Sequence, residues 1–134
     1  MIDSSPARRF VIDTDTASDD AVALILAVAA RTVGEVDLAA VTVVAGNVSL
    51  DLAVRNAIVT LDLCGAADVP LYSGADTPLE RPLETSEDTH GDSGMAGVAL
   101  PTPSRGPTPG DAVEELVGLA SAAPGVHTLV TLGP

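Results

Sequence analysis

Asp13, Asp15, Asp19 and Asp20 fall within one short stretch of this chain, FVIDTDTASDDAVALILAVAA, residues 10–30. Carboxylates this close repel one another. At 4 Å a pair of like charges costs about 1 kcal/mol in bulk water and about 4 kcal/mol at an effective dielectric of about 20. No Lys or Arg lies within the stretch to offset this; the nearest, Arg8 and Arg9, come before it. A hard cation would remove the penalty, and oxygen-only donors suit Ca²⁺ or Mg²⁺. A carboxylate held beside such a cation is also a candidate general base. The plainer alternative is that Asp19 and Asp20 complement a helix dipole while Asp13 caps a strand turn.

The flanking residues say how the group is positioned. Phe10-Val11-Ile12 is a short apolar run that predicts a buried strand ending at Asp13. Ala21 to Ala30 is a longer apolar run and predicts a helix. Period-2 alternation puts Asp13 and Asp15 on the same side where the strand runs out. Asp19 and Asp20 fall at the helix start, with Ser18 or Thr16 as N-cap. Open α/β sheets bind ligands at the carboxyl ends of their strands, which favours a site over four unrelated surface charges.

Strands and helices alternate along the rest of the chain. The first helix is expected to stop at Gly34, and Val36 to Val44 reads as a second strand broken by Ala45-Gly46-Asn47. Ser49 caps a second helix running to about Leu63 and stopped by Gly65. Ala66 to Ser73 holds a short third strand. From about 74 to 110 no period survives and Pro recurs, which predicts a long loop over the sheet's C-terminal edge, partly mobile. Thr108-Pro109-Gly110-Asp111 starts a third helix, with Pro at N1 and Asp at N3. Val126 to Leu132 is a fourth strand. Helices of this length between strands imply right-handed crossovers and a Rossmann-like parallel sheet with flanking helices.

Composition sets the outer limits. The 134 residues suit one domain with a real core. A net charge of −13 argues against nucleic acid or an anionic membrane as partner. Phe10 and Tyr72 are the aromatic residues, so stacking on a base would be poorly supplied. Cys64 is the single cysteine; its place at a helix end reads as packing rather than nucleophilic chemistry. The N-terminal MIDSSPARR has no signal-peptide apolar core, Ala21 to Ala30 is too short to span a bilayer, and cytoplasm is the default.

The motif IDTDTASDDAVAL resembles the N-terminal signature of the calcium-dependent nucleoside hydrolases, the inosine-uridine-preferring N-ribohydrolase family. VTVVAGNVSLDLAVRNA (41–57), THGDSGMAG (89–97) and HTLVTLGP (127–134) agree with that family in order and spacing. The resemblance covers nearly the whole chain. It implies cleavage of the N-glycosidic bond of ribonucleosides, through a calcium-bound water activated by an aspartate. Carried over by motif position, Asp15 is the catalytic base and a metal contact, and Asp20 is a metal ligand. Asp19 hydrogen-bonds ribose hydroxyls, and Asp13 supports the cluster from behind. Asn47 points at the attacking water, His90 lines the nucleoside pocket, and the Leu132 backbone carbonyl is a further metal ligand, where family members usually carry Thr. The family's late Asp ligand and its neighbouring His have no counterpart here. The chain is therefore expected to be an N-terminal part of the domain, cut after about the fourth strand. On that reading it is weakly active or inactive alone, with one sheet face exposed and a homo-oligomer possible.

For single residues the residue types leave other readings open. Gly46-Asn47 is also an ordinary turn pair with Asn in a left-handed conformation. His90 alone is an exposed loop histidine, and His127 at a strand start is structural. Gly-Asp-Ser-Gly at 91–94 matches a serine-protease nucleophile segment, but the strand-helix alternation is wrong for a double β-barrel. Asp13-x-Asp15 after an apolar strand also opens aspartate-dependent phosphotransferases of the haloacid-dehalogenase type. That family does not account for Asp19-Asp20 or Gly46-Asn47. A non-catalytic metal-binding or association module is the third possibility.

Overall fold

A computed structural model describes residues 7–134. Most of the polar N-terminus, read above as lacking a signal-peptide core, lies outside the described residues. Four parallel strands form one sheet in the order β3-β2-β1-β4, with β1 at Arg8–Thr14, β2 at Val36–Val43, β3 at Leu71–Ser73 and β4 at His127–Thr131. Helix α1 (Ser18–Thr32) joins β1 to β2, and α2 (Leu50–Leu63) joins β2 to β3. These two helices pack on each other and on β2. A short α3 (Glu87–His90) lies in the long loop, and α4 (Ala112–Ala122) precedes β4.

Strand alternation separates the two faces. Phe10, Ile12 and Val130 line a groove with Ala23, Leu26 and Ala27 of α1. Val11 and Leu129 meet Leu116 and Leu119 of α4 on the opposite side. The best-packed region is the α1–α2 layer, where Leu24, Val41, Ile58, Leu61 and Leu71 are essentially fully buried. The chain steps outward from β1 to β3 and then returns to pair β4 with β1. That reversal is a topological switch point, and it leaves a crevice outside the carboxyl ends of β1 and β4.

Three expectations change. Neither Thr16 nor Ser18 caps α1: the N-cap is Ala17, without a side-chain bond. The Thr16 hydroxyl is engaged by Thr14 and the Ser18 hydroxyl by His90, so both oxygens are committed elsewhere. Helix α4 begins at Ala112, not at Pro109. Asp111 is its N-cap and accepts from the Val113 and Glu114 amides at 2.9 and 3.1 Å. Finally, the 74–110 loop is not merely draped over the sheet edge. Its second half is strapped along α2, through Arg55 to the Leu100 carbonyl, the Ser104 amide to Asp62, and Arg105 to the Val69 carbonyl.

Candidate active site

Asp15 follows β1 directly and is 4% exposed. One carboxylate oxygen, Oδ2, accepts from the Asn47 amide at 2.6 Å. The same oxygen lies so near Gly46 that a Cβ there would stand 2.1 Å from it. Gly46 therefore serves close approach. It has no positive φ, and neither does Asn47, so the left-handed turn pair is not what the chain forms. Ending β2 on Val-Ala-Gly-Asn builds a cradle for a carboxylate from the neighbouring strand.

Asp20 reaches back beneath Asp15 from the first turn of α1. Its Oδ2 accepts from Thr14 Oγ1 at 2.5 Å and from the Asp15 amide at 3.3 Å. Thr14 Oγ1 in turn meets Thr16 Oγ1 at 2.9 Å. Burial pushes the Asp20 carboxyl above its ordinary range; the Thr14 bond opposes this, and Asp15 and Asp19 add like-charge repulsion that raises it further.

The four aspartates do not form one cluster. Asp13 turns aside to accept from Thr42 Oγ1 at 2.6 Å. Asp19 is exposed, with its Oδ1 3.9 Å from His90 Nδ1. His90 also meets Ser18 Oγ at 3.2 Å and is largely covered, not the free loop histidine of the plainer reading. A cavity of about 220 Å³ is lined by Asp15, Gly46 and Asn47 and roofed by Pro78, Arg81 and Leu83. His90, Asp19 and Asp20 do not line it. Pro134 also lines the cavity; just before it, the Leu132 and Gly133 amides both donate to the Asp13 carbonyl, and Gly133 stands beside the Thr14–Asp15 backbone.

Among the described residues, no three or more His, Cys, Asp or Glu side chains converge as a metal site by themselves. Asp15 and Asp20 do converge, and the Asp20 carboxyl is raised by burial first, with repulsion from Asp15 and Asp19 adding to it. The donor set fits part of an oxygen shell for a hard cation, needing main-chain carbonyl and water oxygens to complete roughly six to eight. Thr14, Thr16, Thr42 and Asn56 were not anticipated. A run of Thr alternating with Asp at a strand end was the available signal. Asn56 carried none beyond being polar in an apolar helix face.

The protein-family model for inosine-uridine preferring nucleoside hydrolase matches residues 10–134. A pyrimidine-specific ribonucleoside hydrolase, RihA, of Photobacterium profundum is 41% identical over 96% of this chain. An uncharacterised protein of Schizosaccharomyces pombe is 42% identical over 94% of it. Among solved structures, a plant nucleoside hydrolase superposes with a TM-score of 0.88 at 32% identity over 96% of this chain. The chain spans about 40% of the length of each of these relatives. The superposition agrees with the parallel sheet and its flanking helices, and the chain belongs to the inosine-uridine preferring nucleoside hydrolase family.

Proposed function

We propose that this chain carries the water-activating wall of a ribonucleoside hydrolase site. The observation that carries the reading is Asp15, buried at the switch point with Oδ2 fixed by the Asn47 amide and by the space that Gly46 leaves. Water attacks the ribose C1′ as the C1′–N bond breaks; the bonding pair leaves with the base, which takes up a proton. The sugar passes through an oxocarbenium-like state. Asp15 accepts the proton lost by the water. Its carboxylate and that of Asp20 favour the developing positive charge. Asp19, exposed beside His90, hydrogen-bonds ribose hydroxyls, and His90 and Asn47 border the nucleoside. Asp15, Asp20 and the Leu132 carbonyl would hold Ca²⁺, which when bound acidifies a water and orients the sugar. The base preference lies outside what these residues decide.

The phosphotransferase reading loses ground because Asp13, its nucleophile, is turned to Thr42 rather than into the cavity. One observation favours the association module as a second reading. Val22, Ile25, Leu26 and Val33 form an exposed apolar row along and just beyond α1. A concentration-dependent oligomer without turnover would point that way.

The direct test is ribose release from inosine and uridine, with calcium and with chelator, using Asp15→Asn as control. Release is expected to be slight, because the carboxylates and carbonyl here supply only part of a calcium shell. Whatever is measured should vanish with chelator and fall at least about a hundredfold in Asp15→Asn. Release that survives either change overturns the assignment of Asp15.

A further inference from the structure

Asn56 lies in the apolar face of α2, fully buried, and neither the strand-end motif nor the proposed chemistry uses it. Its Nδ2 donates twice, to the Thr16 carbonyl at 3.2 Å and to the Ser93 carbonyl at 2.8 Å. Thr16 belongs to the loop that carries Asp15 and leads into α1, whose first turn holds Ser18 and Asp19. Ser93 belongs to the loop that carries His90. One amide nitrogen thus holds two segments that are remote in sequence. Its Oδ1 is buried with no protein partner. An apolar residue of the same size would avoid that cost, so what the asparagine adds is the pair of donors.

The His90 loop is shaped to receive this contact. Gly94 has φ +77°, and a Cβ there would stand 2.8 Å from Val48 Cγ1 and 3.3 Å from Asn56 Nδ2. Only a residue without a side chain lets the loop settle on α2. The loop closes on itself through Gly94 N to the Gly91 carbonyl at 2.8 Å and Ala96 N to the His90 carbonyl at 2.7 Å. Holding Ser93 therefore holds His90. On the other side, holding the Thr16 carbonyl holds Ser18, two residues on, whose hydroxyl meets His90 Nδ1.

We infer that Asn56 is the positioning residue that sets His90 against Ser18 and Asp19, by tying the His90 loop and the aspartate loop to one buried amide. It does not line the cavity beside Asp15 and acts through those two loops. Its bearing on nucleoside binding rests on the function proposed above; the docking itself does not.

The test uses the whole chain as Asn56→Leu, with three readouts that need no nucleoside. They are the ¹H–¹⁵N signature of the His90 ring, hydrogen exchange of the Gly94 and Ala96 amides, and protease cleavage within residues 86–100. Ser18→Ala supplies the reference signature of a His90 ring that has lost its hydroxyl partner. In folded Asn56→Leu the ring signal should move toward that of Ser18→Ala. Exchange and cleavage should speed up by about tenfold or more, while amides of β1 and β2 keep their protection. Gly94→Ala attacks the same contact from the loop side and should give the same signature; it decides the matter should Asn56→Leu fail to fold. A folded Asn56→Leu with an unmoved His90 signal and unchanged loop exchange overturns the inference. Ribose release that survives chelator or Asp15→Asn, by contrast, would count against the hydrolase reading alone.

Discussion

On the β2 side of β1, Thr14, Thr16, Thr42 and Asn56 are fully buried, and each makes a hydrogen bond from its side chain. On the β4 side, Leu129 is half exposed, and both ring nitrogens of His127 are buried without a partner. The two sides share β1 and border the same crevice. The difference follows from coverage. Strand β2 lies between two strands beneath α1 and α2, whereas among the described residues β4 pairs only with β1, at the edge of the sheet. A carboxylate can be aimed within a fraction of an ångström only where its surroundings leave no alternative packing. The wall that holds Asp15 has that quality; the β4 wall has less of it among the described residues.

The most forceful way to break this comparison is through the core. Ile58→Ala should cost about 2–5 kcal/mol in urea unfolding, whereas Leu129→Ala should cost about 1 kcal/mol or less. Equal losses would mean that β4 is packed as tightly as α2. Next in size is Gly46→Ala. The added methyl must displace the Asp15 carboxylate, so an overpacking cost of about 1–3 kcal/mol is expected, together with loss of the Asn47 amide's hydrogen-bonded chemical shift. A variant with an unshifted Asn47 amide would show that the cradle yields.

The smallest effect has the opposite sign. Because the Asp20 carboxyl is raised, the folded chain holds that proton more tightly than the unfolded chain does. Its contribution to stability is full below the ordinary carboxylate range and is lost as pH rises through the raised folded value. In chelator near neutral pH, Asp20→Asn should therefore melt a few degrees higher than the parent chain, and acidification should narrow the gap. Added calcium should reverse the order. A parent chain more stable than Asp20→Asn in chelator would show that the Thr14 bond outweighs burial and repulsion together.

Much of the fold could be read from periodicity. The strand ending at Asp13, the two helices stopped at Gly34 and Gly65, and the parallel order all follow from apolar runs and their punctuation. The caps were harder. Thr16 and Ser18 have the right chemistry to cap α1, but a hydroxyl has few bonds to give, and partners distant in sequence took them. Asp111 was placed three residues too deep because Pro109 also suits a first turn. Within the candidate site, residue types showed the aspartates only as a group; the pairing of Asp15 with Asp20 came from the family resemblance and not from pattern. Asp13 and Asp15 are two residues apart and face different partners, Thr42 and Asn47.

The sequence by itself determined the elements, their parallel arrangement, the stock of carboxylates at the end of β1 and the family, because these depend on local pattern and residue type. Tertiary structure alone decided that Asp15 and Asp20 meet while Asp13 and Asp19 turn away. It also decided that Gly46 is there to make room rather than to turn, and that Asn56 joins two loops. Each of these depends on atoms brought within a few ångströms by strand pairing and helix packing, between residues whose separation along the chain carries no trace of the contact.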